Sequence, residues 1–219
     1  MKKVYAINGS PRINWNTSIL LDKVLEGVKE IFPDAETERI DLYKLKYTGC
    51  TSCFACKMKD GPNYGKCQIK DDLYPILQKL READAVIFGS PIYYRTITGM
   101  LHSFYERMFY PFMTYKAGYP TLVENHYKTI CIYTMNVNEE EMIAGGYREN
   151  MELWEFFLEK YFSKPEILFA FNTLQFKDYS KYVCETFNQK DKEEYRKDHF
   201  PEDCQKAFEM GKNLFKEQL

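Results

Sequence analysis

The period of the apolar residues switches repeatedly along this chain of 219 residues. "KKVYAI" is a short apolar run that stops at Asn8-Gly9-Ser10, as a buried strand entering a turn would. Leu20, Val24, Val28 and Ile31 then recur at helical spacing, with Thr17 or Ser18 as an N-cap and Pro33 beyond the end. "ETERIDLY" has a weaker strand pattern, and Asp71-Asp72 open an amphipathic helix through Leu73, Ile76, Leu77 and Leu80. "ADAVIFGSP" is the clearest buried strand, stopped by Gly89-Ser90-Pro91. Met100, Leu101, Phe104 and Met108 predict the next helix, "YKTICIYTMN" a fourth strand and residues 149–162 a further helix. "PEILFAF" is a fifth strand, and Cys204, Ala207, Phe208, Gly211 and Phe215 line a closing helix.

Strand followed by helix, five times over, predicts one α/β domain: a doubly wound, five-stranded parallel sheet with helices on both faces. Apolar residues make up 45% of the chain, enough for a large core, and no repeat or linker divides it, so residues 1–219 read as a single domain. A net charge of -2 gives no reason to expect nucleic acid or an anionic membrane as partner. "MKKVYAINGSPR" turns polar too soon for a signal peptide, and no stretch approaches the ~20 apolar residues of a membrane span. The expected location is therefore the cytoplasm, where thiols stay reduced. The lysine- and glutamate-rich stretch at 188–199 reads as a solvated surface segment.

In open α/β sheets a ligand lies outside the carboxyl ends of the strands. After strand one comes "NGSPRINWNTS", which is neither a P-loop nor a dinucleotide fingerprint. It brings Ser10, Arg12, Asn16, Thr17 and Ser18 to a helix N-terminus, where free N–H groups and the helix dipole suit a phosphate monoester. After strand three comes "GSPIYYRTITG", whose tyrosines could lie against a flat ligand. After strand four comes "TMNVNEE", with Gly145-Gly146-Tyr147 downstream. One loop for a phosphate and two for a planar ring describe a mononucleotide such as FMN. Asn8-Gly9 closes strand one without the acidic cluster of a phosphorylation-switch domain, and His102, His126 and His199 stand isolated, offering no Ser-His-Asp or zinc-protease pattern.

"GSPR…NTS..L" followed by "GSPIYY…TG.L..F.ER" resembles the NADPH-dependent FMN reductase family, flavodoxin-like flavoproteins that include iron–sulfur flavoproteins. The likeness runs through a cysteine-rich loop (49–67) and reaches "TLQFKDYSKY" in a C-terminal extension (173–219). It implies that Ser10, Arg12, Asn16, Thr17 and Ser18 hold the FMN phosphate. Ser90, Pro91, Ile92, Tyr93 and Tyr94 would flank the isoalloxazine, with Thr134, Met135 and Asn136 at its other edge. The implied activity is NAD(P)H-dependent reduction of a flavin, quinone or other small acceptor by ping-pong hydride transfer through flavin N5, with no catalytic side chain required. The alternative is a non-enzymatic carrier that relays electrons to a redox protein. Tyr93, Arg95 and Arg148 are candidates to steer NADPH by charge and position. The family also implies a homodimer or homotetramer, and "FYERMFYPFMTYKAGYP" carries more aromatic area than one helix face is expected to bury in its own core.

Residues 49–67, "GCTSCFACKMKDGPNYGKC", place Cys50, Cys53, Cys56 and Cys67 between strand two and the next helix, where closeness to the flavin is expected. Four thiolates can hold a [4Fe–4S] cluster, as the iron–sulfur flavoproteins of this family do. Here ten residues separate Cys56 from Cys67, a longer interval than that compact motif uses. Free thiols are the expectation, a [4Fe–4S] cluster the alternative, and zinc a more remote one.

Overall fold

The computed structural model describes residues 1–216. Five strands, β1 (Lys3–Asn8), β2 (Glu36–Asp41), β3 (Ala85–Pro91), β4 (Lys128–Thr134) and β5 (Glu166–Ala170), form one parallel sheet in the order β2-β1-β3-β4-β5. The helices are α1 (Asn16–Ile31), α2 (Leu73–Leu80), α3 (Gly99–Phe109), α4 (Glu139–Ala144), α5 (Tyr147–Tyr161) and α6 (Gln189–Asn213). The chain is a flavodoxin-like doubly wound α/β fold, as the alternating periods require.

Alternation along the strands divides the core into two layers. Tyr5, Ile7, Val86, Phe88, Cys131 and Tyr133 face α2, α3 and α5, whose Leu73, Phe104, Tyr105, Met151 and Leu158 are buried against them. Val4, Ala6, Ala85, Ile87, Ile130 and Ile132 face α1 and α6, meeting Leu20, Leu21, Val24, Val28, Ala207 and Met210. Strand order reverses between β1 and β3, so the loops leaving those two strands part and open a crevice.

Two expectations change. The helix α1 starts from Trp15, not Thr17 or Ser18, because both of those residues already lie inside its first turn. The aromatic run after Gly99 is largely absorbed by this chain's own core: Phe104, Tyr105, Phe109 and Phe112 are buried, with Phe109 stacked on Tyr161, and only Tyr115 and Tyr119 are well exposed. The 188–199 segment is mostly exposed, as a solvated surface segment should be, with Lys192 buried; it forms the first half of α6, a 25-residue helix capped by Asn188, whose Oδ1 accepts from the N–H groups of Lys190 and Asp191 at 2.9 and 3.3 Å. The second half of α6 lies backbone-to-backbone on α1 at a glycine pair: a Cβ at Gly27 would stand 2.0 Å from Phe208 O, and one at Gly211 2.0 Å from Val24 O. No helix among the described residues is long and apolar enough to cross a membrane.

Candidate functional site

The loop after β1 is built by Asn8. Its fully buried amide donates to Asp41 Oδ1 at 2.9 Å and accepts from the Ser10 N–H at 3.0 Å. That turns the chain sharply toward α1, and Gly9 N donates to Gly89 O at 2.8 Å, locking this loop to β3. Trp15, as N-cap, has no side-chain acceptor, so no cap occupies the N–H groups of the first turn of α1. Ser18 is fully buried: its hydroxyl accepts from Trp15 N and donates to Trp15 O, at 2.9 and 2.8 Å. A glycine at 89 lets α1 approach, since a Cβ there would come within 2.9 Å of Leu21 and Thr17 side-chain atoms.

Ser90 and Thr98 tie the second loop down. Thr98 donates its hydroxyl to Gly9 O at 2.7 Å and its N–H to Ser90 Oγ at 3.1 Å, while capping α3. Thr134, at the end of β4, shares a 2.8 Å hydroxyl–hydroxyl hydrogen bond with Thr17.

These contacts bring three loops to one cavity of about 140 Å³. Ser10, Arg12, Asn16 and Thr17 line one end, Pro91, Ile92 and Tyr93 one wall, and Thr134, Met135 and Asn136 another. Of the remaining predicted site residues, Ser18 and Ser90 are fully buried beneath the loops they hold, and Tyr94 points wholly into solvent, so none of the three lines the cavity. Asn136 Oδ1 is buried without a hydrogen-bond partner in the protein. A buried amide oxygen left so is costly, and a donor from a ligand satisfies it. An uncapped helix N-terminus at one end and this oxygen at the other suit a phosphorylated planar ring. Arg148 is taken up in a bidentate pair with Glu155 at 2.6 and 2.7 Å, which removes it as a free cation for a co-substrate; Arg95 leans over the Tyr147 ring.

Several lining residues carry no local signature. Trp15 and the loop after β5 (Thr173, Leu174, Gln175) complete the cavity, joined by bonds from Trp15 Nε1 and Asn16 Nδ2 to Leu174 O, both 3.0 Å. From α6, Arg196 donates to Asn16 Oδ1, and Lys192 donates to Asn136 O at 2.6 Å and to Asn172 Oδ1. The sequence signals were the likeness in "TLQFKDYSKY", which holds Thr173, Leu174 and Gln175, and two long cations four residues apart, Lys192 and Arg196, inside a stretch otherwise read as solvated.

The cysteine loop lies elsewhere. Cys50, Cys53, Cys56 and Cys67 converge on a narrow cleft with Glu106, Arg107, Tyr110 and Pro111, at the C-terminal end of α3. No residue that lines this cleft also lines the strand-end cavity. The cysteines therefore do not adjoin this chain's own strand-end cavity, because the loop runs down α3: Tyr47 hydroxyl donates to Met100 O at 2.6 Å, Cys50 N to Glu106 Oε2 at 2.9 Å, and Lys57 to carbonyls of residues 110–113. Ser52 and Phe54 adopt left-handed backbone (φ 53° and 55°), a costly conformation for side-chain-bearing residues; Cys56 is buried, Cys50 and Cys67 are partly buried and Cys53 is exposed. Arg107 is almost fully buried with all five N–H groups engaged: Nε to Cys67 Sγ at 3.0 Å, the others to Asp71 (2.8 and 3.1 Å), Thr48 O and Ile69 O. Burial raises the Cys56 thiol pKa. No three His, Cys, Asp or Glu side chains among the described residues stand close enough to hold a single metal ion. Beside the cleft, Tyr105, Phe109, Trp154, Phe157 and Tyr161 line an open groove of about 400 Å³.

Comparison with known proteins adds the following. Residues 2–135 match the family described as NADPH-dependent FMN reductase. An iron–sulfur flavoprotein from Archaeoglobus fulgidus is 38% identical over 105 residues, covering 48% of each chain. Another from the same organism is 32% identical over 152 residues, 69% of this chain and 63% of the relative. The chain thus spans about half the length of the first and under two thirds of the second. The solved structure of an NAD(P)H:quinone oxidoreductase from Methanothermobacter marburgensis superposes with a TM-score of 0.65, covering 97% of this chain and 96% of that one, at 16% identity, a likeness of fold alone. With the match spanning β1 to the end of β4, and so the loops after β1 and β3, the chain belongs to the NADPH-dependent FMN reductase family.

Proposed function

We propose that this protein is an FMN-dependent NAD(P)H oxidoreductase that reduces a flavin, quinone or other small acceptor by ping-pong hydride transfer. The carrying observation is the single cavity at the β1/β3 switch point, with an uncapped helix N-terminus at one end and the unpartnered Asn136 Oδ1 at the other. FMN bound there would supply the redox chemistry of hydride acceptance and electron release. The chain binds and orients it. Ser10, Arg12, Asn16 and Thr17 hold the phosphate against the first turn of α1, where the helix dipole favours negative charge. Pro91, Ile92 and Tyr93 flank the ring, and Thr134, Met135 and Asn136 meet its far edge. Ser18 and Ser90 keep these loops in shape from beneath. Isothermal titration of the apoprotein with FMN, followed by NADPH and NADH oxidation with a quinone or free FMN, tests the reading. No FMN binding defeats it, and FMN binding with turnover only in the presence of a redox protein favours a carrier.

A second reading has its own observation: four cysteines around one cleft beside a buried guanidinium that donates to Cys67. A [4Fe–4S] cluster has its ligand sulfurs farther apart than a single ion does, and N–H···S bonds tune such clusters. The donor set fits the group, and with it the protein would work as an electron-transfer flavoprotein. About four irons per chain after anaerobic purification select this reading; iron-free protein with four titratable thiols in the loop selects the first. Self-association through the groove lined by Trp154, Phe157 and Tyr161 of α5, a helix that also exposes Leu153 and Phe156, is part of either proposal, and sedimentation equilibrium tests it.

A further inference from the structure

We infer that the first half of α6 is part of the FMN site, with Lys192 and Arg196 as positioning residues that hold the ring-edge loop and the phosphate loop in their binding geometry. The inference rests on the FMN reading above and concerns residues beyond the stretch matched to the family.

Lys192 is 5% exposed, although it sits in the most highly charged stretch of the chain. Its ammonium reaches Asn136 O and Asn172 Oδ1, and forms no ion pair with a carboxylate among the described residues. Desolvation lowers its pKa, the sign of a cation held where water does not reach it freely. Burying an ammonium on neutral acceptors is costly. What it holds in return is the backbone of Asn136, the residue whose side-chain oxygen is left without a donor in the cavity.

One turn on, Arg196 donates to Asn16 Oδ1, and its guanidinium lies over the rings of Trp15 and Phe200 at 5.7 and 4.1 Å. This settles how Asn16 points: with Oδ1 taken by Arg196, Nδ2 turns to Leu174 O at 3.0 Å. Asn16 is the first residue of α1, so its orientation sets the mouth of the helix. Arg12 and Lys177 also stand over Trp15, at 5.9 and 5.7 Å. None of Arg12, Lys177 and Arg196 forms an ion pair with an acid among the described residues, which leaves three uncompensated cations around the N-cap of α1. A phosphate dianion is the counter-charge such an arrangement fits. The docking of α6 makes this placement possible: Asn188 fixes its start, and the close backbone approaches of Gly27 to Phe208 and of Gly211 to Val24 fix its seat on α1.

The experiment measures dissociation constants of FMN and riboflavin on the apoprotein for wild type, Arg196→Leu, Arg196→Lys and Lys192→Met, by quenching of flavin fluorescence, with apoprotein melting recorded in parallel. Arg196→Leu should weaken FMN about tenfold or more and riboflavin far less, since only FMN carries the charge. Arg196→Lys should recover a salt-sensitive part of that preference, because the charge survives and the fork does not. Lys192→Met should weaken both flavins by the same factor and speed amide hydrogen exchange at 136–138. Equal loss of FMN and riboflavin in Arg196→Leu, or unchanged binding in all variants of a wild type that binds FMN, overturns the inference. Wild-type protein that binds neither flavin overturns the FMN reading itself.

Discussion

Replacing Gly211 by alanine tests the seam on which the C-terminal half of the molecule depends. In an unpacked helix the change would stabilise by about 1 kcal/mol, because glycine is the poorer helix former. Here the added methyl would sit 2.0 Å from Val24 O and 2.9 Å from Val24 C, against backbone that has no rotamer to yield. Ordinary contact needs roughly 3.5 Å, so α6 must withdraw by about 1.5 Å along that line. The withdrawal loosens Ala207, Met210 and Leu214 from Val24 and Val28. Overpacking against a rigid neighbour costs about 3 kcal/mol at the upper end of its range. Set against the propensity gain, the net loss is about 2 kcal/mol. For a chain of this size that lowers Tm by about 4–8 °C. Differential scanning calorimetry of the apoprotein reads this directly, and FMN binding should weaken in step because Lys192 and Arg196 move with the helix. A Gly211→Ala protein melting at or above wild type would show that α1 and α6 do not meet backbone to backbone, and the delivery of the two cations would lose its basis.

Thr17→Val removes a cavity hydroxyl bonded to Thr134 at 2.8 Å, and should weaken FMN by about 1.5–3 kcal/mol while sparing riboflavin, as titration of both flavins would show. Asp71→Asn breaks the pair with Arg107; with Asp71 partly exposed, a loss of about 2 kcal/mol in urea unfolding is expected at neutral pH. Burial works to raise the Asp71 pKa, but the bonds and charge of Arg107 prevail and hold it below the ordinary carboxylate value. Its contribution is therefore full above about pH 4 and is lost as pH falls through the lowered folded value, so the variant should show a flatter acid limb below pH ~4 in melts. If the four loop cysteines hold a cluster, serine at any one of Cys50, Cys53, Cys56 or Cys67 should lower bound iron with FMN content unchanged, since no residue lines both the cysteine cleft and the strand-end cavity. Colorimetric iron assay beside flavin absorbance reads both.

Hydrophobic period alone determined the five β/α units, because burial on two faces of a parallel sheet writes itself locally into each strand and helix. The cavity-lining residues Ser10, Arg12, Asn16, Thr17, Pro91, Ile92 and Tyr93 were legible for a similar reason: ligand loops of such a sheet follow the strand ends, and those ends are visible as apolar runs meeting Gly, Ser and Pro. Tertiary structure decided what depends on partners far along the chain. Ser18 and Ser90 look like ligands in sequence, yet their hydroxyls serve Trp15 and Thr98. The cysteine loop follows strand two, but its course is set by Met100, Glu106 and the backbone near Tyr110, which lead it away from the strand ends. Residues 188–199 have the composition of a solvated surface, and composition reports an average over side chains. The placement of buried Lys192 and half-buried Arg196 arises from contacts 56 and 180 residues away, at Asn136 and Asn16, and no local pattern encodes an acceptor that distant.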